Sequence, residues 1–531
     1  MNVVAHDHTA QAPTQKAYLR RYVPYLVFAF CASLYLLPFM RLLLQGTDEG
    51  LLVSGAVRVA HGQVFARDFI EMAGPGTFYW VALFFKLFGV TFVAERLCLF
   101  ISSLGTGLLM YFLARRICSR YQFLPCLLLA ATYFGMLWPT ISHHVDSNFF
   151  ALLSVACMVV WQDRHKYGLL FAAGALAGAT TCFLQPKGVL LFLALLLWLG
   201  IQNQQRSASW SSLGMVAGSY LGVIGLTLAY FWSQSALKDL IYANFLWPYR
   251  HYGAVNVVPY ARGIFRDYWN HWITPVHGIH WTIGIAAVLI IPFLFVAALP
   301  VLLPIIGILN RRCTARPEIL LYWLCGGALW LSEIHRKDIT HLVFGSPLLL
   351  ILCVFYIQKS RRKAADYALQ ILAISAACLA GLNLCVALTA HPMATRVGTV
   401  AVFKSDPVLT FLDTHTKPGE DIYLYPYSPM YYFLSDTMNP TRFSGMWYSY
   451  NTVSDFQEVV RVLDQRRVKY VVWDTGFDDR VLPLFFPSLK RPRVDQLIIE
   501  PYLESHYTQV ESYNGVRIME RNSSPDSSAA R

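Results

Sequence analysis

Long apolar stretches alternate with short polar ones through most of the chain. They fall at residues 22–44, 92–114, 123–139, 148–161, 168–184, 188–201, 213–233, 282–309, 318–334, 340–357 and 367–390. A helix of about 20 apolar residues crosses a bilayer, so the pattern predicts about eleven transmembrane helices, several of them short. The first run follows a polar N-terminal segment and is too long for the core of a cleaved signal. It reads as an uncleaved anchor. Two connections are long. In 45–91, Val53 to His61 and Gly76 to Phe88 read as helices lying in the membrane interface, separated by Gly74-Pro75-Gly76. The connection 234–281 is dense in Trp247, Tyr249, Arg250, His251, Tyr260, Arg262, Arg266 and Trp269. It fits either an aromatic belt at the headgroups or a lid over a site.

Beyond His391 the pattern changes. Residues 392–531 alternate helix-like segments (Pro407 to His415, Pro429 to Leu434, Val453 to Arg466) with strand-like ones (Asp421 to Tyr425, Lys469 to Trp473, Gly515 to Glu520). This predicts a small α/β domain outside the membrane, following a membrane domain over 1–391. The last residues, rich in Ser and Ala, read as disordered. The two halves of the chain show no repeat of the transporter kind.

Composition supports the membrane reading: 56% of the 531 residues are hydrophobic and 14% charged. The net charge of +12 is not a nucleic-acid footprint, because Lys and Arg sit in clusters between apolar runs. Arg20-Arg21, Arg115-Arg116 with Arg120, Arg164 with Lys166, Arg311-Arg312 with Arg316, and Lys359 with Arg361-Arg362-Lys363 all fall on one side when the runs are threaded alternately. That is the positive-inside pattern of a multi-pass cell (inner) membrane protein with a cytoplasmic N-terminus and a periplasmic or extracellular C-terminal domain. All 11 cysteines lie between Cys31 and Cys385, which excludes a disulfide framework in the domain beyond.

The outer ends of the runs carry the chemistry. Gly46-Thr47-Asp48-Glu49-Gly50 follows the first run, and carboxylates at a bilayer boundary point to a functional site. Asp68 and Glu71 follow in the same loop, then His143-His144-Val145-Asp146, Gln185-Pro186-Lys187-Gly188, and His335-Arg336-Lys337-Asp338-Ile339-Thr340-His341. Acids come from the early loops and cations from the later ones. One cleft built from both would hold a hydroxyl acceptor against carboxylates and a phosphate against cations. Plainer roles are helix capping for Asp48 and Asp146 and snorkelling for Lys187. A metal on His143, His144 and Asp146 is disfavoured because adjacent histidines point apart, so no metal cofactor is expected.

The run from Thr47-Asp48-Glu49-Gly50 through Ala56-Val57-Arg58, Gly62, Arg67-Asp68-Phe69 and Pro75 to Leu87-Phe88-Gly89 resembles the first loop of the GT-C membrane glycosyltransferases. The protein O-mannosyltransferase and aminoarabinose-transferase branch is the nearest. Asp146, Gln185-Pro186-Lys187-Gly188-Val189 and His341 extend the likeness more weakly across the membrane part. It implies an inverting transfer of a hexose or pentose from a polyprenyl-phosphate donor to a lipid, glycan or protein acceptor at the outer face. Asp48 would be the base or the residue that orients the acceptor, with Glu49 beside it and Asp146 assisting. Glu71, Lys187, Arg336, Lys337, His341, Arg250 and Arg262 would bind substrate. Family members often carry Lys where Met72 follows Glu71 here, so Lys187 or Arg336 would have to supply that charge. A flippase for a lipid-linked sugar and a non-catalytic envelope assembly partner are the other readings.

Overall fold

Every apolar run carries a helix in the computed structural model. It describes residues 15–43, 48–71, 73–133, 140–205, 208–252, 258–264, 279–360, 362–448, 450–485 and 492–523. Gly46, Thr47, Arg266, Trp269 and the Ser-rich end of the tail lie outside these. Among the described residues, six helices are each long and apolar enough to cross a membrane: Phe92–Ile117, His143–Arg164, Gln185–Gln204, Trp210–Ser233, Ala286–Leu309 and Lys363–Leu388. Shorter apolar helices, among them Tyr22–Leu36, Leu124–Tyr133 and Tyr167–Phe183, pack among them.

Two expected spans are interrupted. The run 22–44 is helical only to Leu36; Pro38 introduces a short tight turn, and Leu42 then pairs with Ala401. The run 340–357 is two helices, Ile339–Gly345 and Pro347–Lys359, bent by 73°. Pro347 has no N–H to give the Val343 carbonyl. Ser346 supplies both its backbone N–H, at 3.1 Å, and its hydroxyl, at 2.8 Å, in its place. Asn148 donates to the neighbouring Phe344 carbonyl at 2.8 Å, so the break is satisfied by an adjacent helix.

Ion pairs collect the basic clusters at one end of the bundle. Arg116 bridges Asp163 and Glu318 at 2.9 Å each, and Arg120 reaches Asp366 at 3.9 Å. A cavity of about 490 Å³ opens there between Arg116, Trp161, His165, Trp198 and Glu318. Arg96 lies on the same helix as Arg116 but 20 residues earlier, about 30 Å away at 1.5 Å per residue. That opposite end carries the polar motifs and receives the C-terminal unit.

In the long first loop the helices are Glu49–Ala60 and Pro75–Phe88. The second does not simply lie in the interface. Thr77, Phe78, Val81, Ala82, Phe84 and Phe85 are buried against the bundle, and only one face, with Leu83 and Leu87, is exposed. Gly74 lets this turn approach the bundle closely, since a Cβ there would stand 2.4 Å from the Cys182 carbonyl oxygen.

The C-terminal unit begins with a hairpin, β1 (His391–Thr395) and β2 (Gly398–Val402). A four-stranded mixed sheet follows: β3 (Tyr423–Tyr425) is parallel to β4 (Tyr470–Asp474), which pairs antiparallel with β6 (Val516–Arg521), and β5 (Tyr507–Tyr513) pairs with β6. Helix Val453–Gln465, closed by a Thr452–Asp455 capping box, buries Phe456, Val459 and Leu463 on the sheet.

Candidate active site

Asp48 opens helix Glu49–Ala60, yet its side chain makes no capping bond. The carboxylate is exposed instead and accepts the Tyr427 hydroxyl at 3.2 Å, from a residue 379 positions away. Tyr427 meets Trp447 edge-on at 5.5 Å, Trp447 lies 4.7 Å from Tyr450, and Tyr450 lies 4.3 Å from Trp247 of the second long loop. An aromatic wall from two parts of the chain therefore stands beside the carboxylate. Glu71 joins this group. Burial pushes its carboxyl up to about 8, the bond from Ser444 and the charge of Arg58 oppose that rise, and the Asp48 charge adds to it. The same burial, with Asp48 and Glu71 nearby, raises the Tyr427 phenol.

Further contacts hold the first loop to the C-terminal unit. Gly50 runs so close to Met430 that a Cβ would be 2.3 Å from its backbone nitrogen. Ile70 N–H donates to the Arg442 carbonyl at 2.9 Å. Arg58 is buried, and burial lowers its pKa to about 10, which leaves it charged at neutral pH. Its guanidinium donates to Gln63 at 2.6 Å, the Thr441 carbonyl at 2.8 Å and the Asp68 carbonyl at 2.8 Å.

A second polar group lies where helices His143–Arg164, Gln185–Gln204, Pro317–Glu333 and Ile339–Gly345 meet. Lys187 is fully buried, with Nζ 2.7 Å from Glu333 and 2.8 Å from Asn148 Oδ1. His144 Nδ1 lies 3.0 Å from Glu333. Asp338 caps helix Ile339–Gly345 through the His341 N–H, binds His341 Nδ1 at 2.8 Å and takes Arg336 at 2.6 Å. These contacts, against the cost of burial, hold the Asp338 carboxyl below the usual carboxylate range. The chain around Lys337 pairs with the second long loop: Ala261 N–H donates to the Lys337 carbonyl, and Ile339 N–H to that of Arg262. Two links join the groups. Asn244 donates to the Glu71 carbonyl and accepts from Gln185, and Glu49 accepts the Ile141 N–H just ahead of His143 and His144.

Known proteins are similar to this chain in family and in fold. Residues 73–232 match the family described as dolichyl-phosphate-mannose-protein mannosyltransferase. ArnT from Cupriavidus metallidurans bound to undecaprenyl phosphate is similar at a TM-score of 0.54 and 13% identity, over 95% of this chain and 99% of that one. The apo ArnT structure is similar at a TM-score of 0.54 and 14% identity, over 94% and 98%. The chain has the GT-C membrane glycosyltransferase fold. No curated protein matches it in sequence.

Within this GT-C fold, the structure sorts the residues singled out in the sequence. Asp48 and Glu71 come together. Glu49 does not face them: it is buried, with Arg96 2.5 Å from one oxygen and 3.2 Å from the other. That makes it a charge partner that fixes the start of helix His143–Arg164. Asp146 is also buried, accepting from Ser102 at 2.8 Å and Thr77 at 3.1 Å. Lys187, expected to meet a phosphate, is neutralised by Glu333. The exposed cations are Lys337 and Arg250, while Arg336 is paired with Asp338 and Arg262 donates to the Pro483 carbonyl at 3.1 Å. Sequence reasoning missed Tyr427, Trp447, Asn148 and Glu333. Only Glu333 left a readable signal, a carboxylate closing an apolar helix.

Proposed function

We propose that this protein is an inverting glycosyltransferase that moves a sugar from a polyprenyl-phosphate donor to an acceptor at the end of the bundle holding Asp48. The observation that carries the reading is the Asp48 carboxylate: exposed, not used as a cap, and held by Tyr427 beside an aromatic wall. The GT-C fold, and the undecaprenyl phosphate bound to the similar ArnT, support the donor class. Basic clusters at the far end support placing that end in the cytoplasm and Asp48 outside it.

In the reaction, Asp48 takes the proton of the acceptor hydroxyl as its oxygen attacks the anomeric carbon. The bond from that carbon to the phosphate oxygen breaks on the opposite face, which inverts the centre. The phosphate leaves with the electron pair, toward Lys337, Arg250, Arg262 and Arg336. The aromatic wall offers faces for a sugar ring. The flippase reading is not favoured, since the charged groups gather at helix ends rather than across a midplane repeat interface.

The test is transfer by purified protein in lipid, with a polyprenyl-phosphate sugar labelled in the sugar. Release of polyprenyl phosphate with label on the acceptor is expected. Movement of label across the bilayer with the sugar–phosphate bond intact would overturn the proposal in favour of transport.

A further inference from the structure

We propose that His144, Glu333 and His341 bind one divalent transition-metal ion of the zinc kind, with a fourth position open to an anionic oxygen. Each residue offers a donor atom, and the three atoms lie within 4.8 Å of one another. Two imidazoles and a carboxylate are a zinc ligand set, and bonds of about 2.0–2.1 Å would place neighbouring donors about 3.3 Å apart. His144 and Glu333 already stand at that separation: Nδ1 is 3.0 Å from both carboxylate oxygens. Oε2 of Glu333 is buried and lacks a hydrogen bond of good geometry. A buried carboxylate oxygen left this way is costly unless something else binds it. The His341 ring closes the third side, nearly perpendicular to His144, with ring centres 4.9 Å apart.

The surroundings prepare His341 as a ligand. Asp338 engages Nδ1 at 2.8 Å, which places the lone pair on Nε2, and Arg336 and the helix cap fix Asp338 in turn. A carboxylate behind a histidine is the usual outer partner of a zinc ligand. Lys187 occupies one Glu333 oxygen and shares its second bond with Asn148, so the other oxygen stays available. Lys187 and Arg336 balance Glu333 and Asp338, so a bound dication leaves the site with net positive charge. That excess favours an anionic oxygen in the fourth position. The set differs from the His143, His144 and Asp146 combination disfavoured from the sequence, in which Asp146 is held by Thr77 and Ser102. Metal binding here follows from ligand geometry and does not depend on the transfer reaction.

The experiment uses the full chain, purified in nanodiscs, stripped with chelator and titrated with Co²⁺, then with competing Zn²⁺. One equivalent of Co²⁺ with the visible spectrum of a four-coordinate site, displaced by Zn²⁺, is expected. His341→Ala and His144→Ala should each weaken binding at least about 100-fold, and Asp338→Asn about 10- to 100-fold. His335→Ala, altering a ring 5.5 Å from His341 outside the set, should bind as wild type does. Size-exclusion profiles and melting temperatures show whether each variant is folded. Wild-type protein that binds no Co²⁺, or binding untouched in folded His341→Ala, would overturn the proposal.

Discussion

Lys187 and Glu333 show how burial changes a residue's meaning. A lysine near a helix start reads as a cation for substrate, but here its ammonium is fully buried and answered at 2.7 Å. Removing one member of a buried pair strands the other and costs about 3–5 kcal/mol, whereas replacing both with apolar groups is often neutral. Lys187→Met should therefore lower the melting temperature sharply, and adding Glu333→Leu should restore most of it. An unchanged melting temperature in Lys187→Met would show that the pair does not matter to folding. Glu71 makes a pH prediction. Its carboxyl is raised from 4.5 to about 8, so the native state keeps a proton that the unfolded chain releases in between. Stability must fall as pH rises through that window. Glu71→Gln should remove the slope, matching wild type near pH 5 and melting higher near pH 8.5; parallel curves would contradict the assignment. Which residue types bear chemistry was legible from the sequence, because charges at the ends of apolar runs stand out. Their partners were not. Nothing near Tyr427 announces Asp48, and nothing near Arg96 announces Glu49, since each pair is made by packing between segments far apart in sequence.

Among the elements, the helix Glu49–Ala60 carries the site because it is fastened to the C-terminal unit. Arg58 is the main fastener. Arg58→Ala would leave the Thr441 and Asp68 carbonyls without their donor, at a cost of about 2–4 kcal/mol. The expected result is a lower melting temperature together with faster proteolysis where residues 392–531 meet the bundle. Equal proteolysis rates would place the fastening elsewhere. The apolar runs located the helices well because a bilayer demands long uninterrupted apolarity. The bend at Ser346 was not anticipated, although Pro347 inside the run 340–357 is its signal. Strands β1, β2 and β5 were not legible. β1 is short and holds Pro392, β2 is five residues long and opens on Gly398, and β5 is mostly exposed on both faces, so none shows the alternation that marks a strand.

Across the whole molecule, two ends divide the labour. One gathers Arg116, Arg120 and their acidic partners; the other assembles Asp48, Glu71 and the aromatic wall from the first loop, the second loop and the C-terminal unit. This division was visible in the charge pattern, while the closing of three distant segments over Asp48 is a product of tertiary structure alone. The proposed chemistry turns on Asp48 taking the acceptor's proton. Asn at position 48 keeps the size and the hydrogen bond to Tyr427 but cannot take a proton at neutral pH, and general-base catalysis is worth about 100- to 10,000-fold. The decisive experiment is single-turnover transfer from a polyprenyl-phosphate sugar by Asp48→Asn, with donor binding and melting temperature followed in the same preparation. Wild-type folding and donor binding are expected, with transfer slowed by at least about 100-fold. Transfer near the wild-type rate in folded, donor-bound Asp48→Asn would rule Asp48 out as the base.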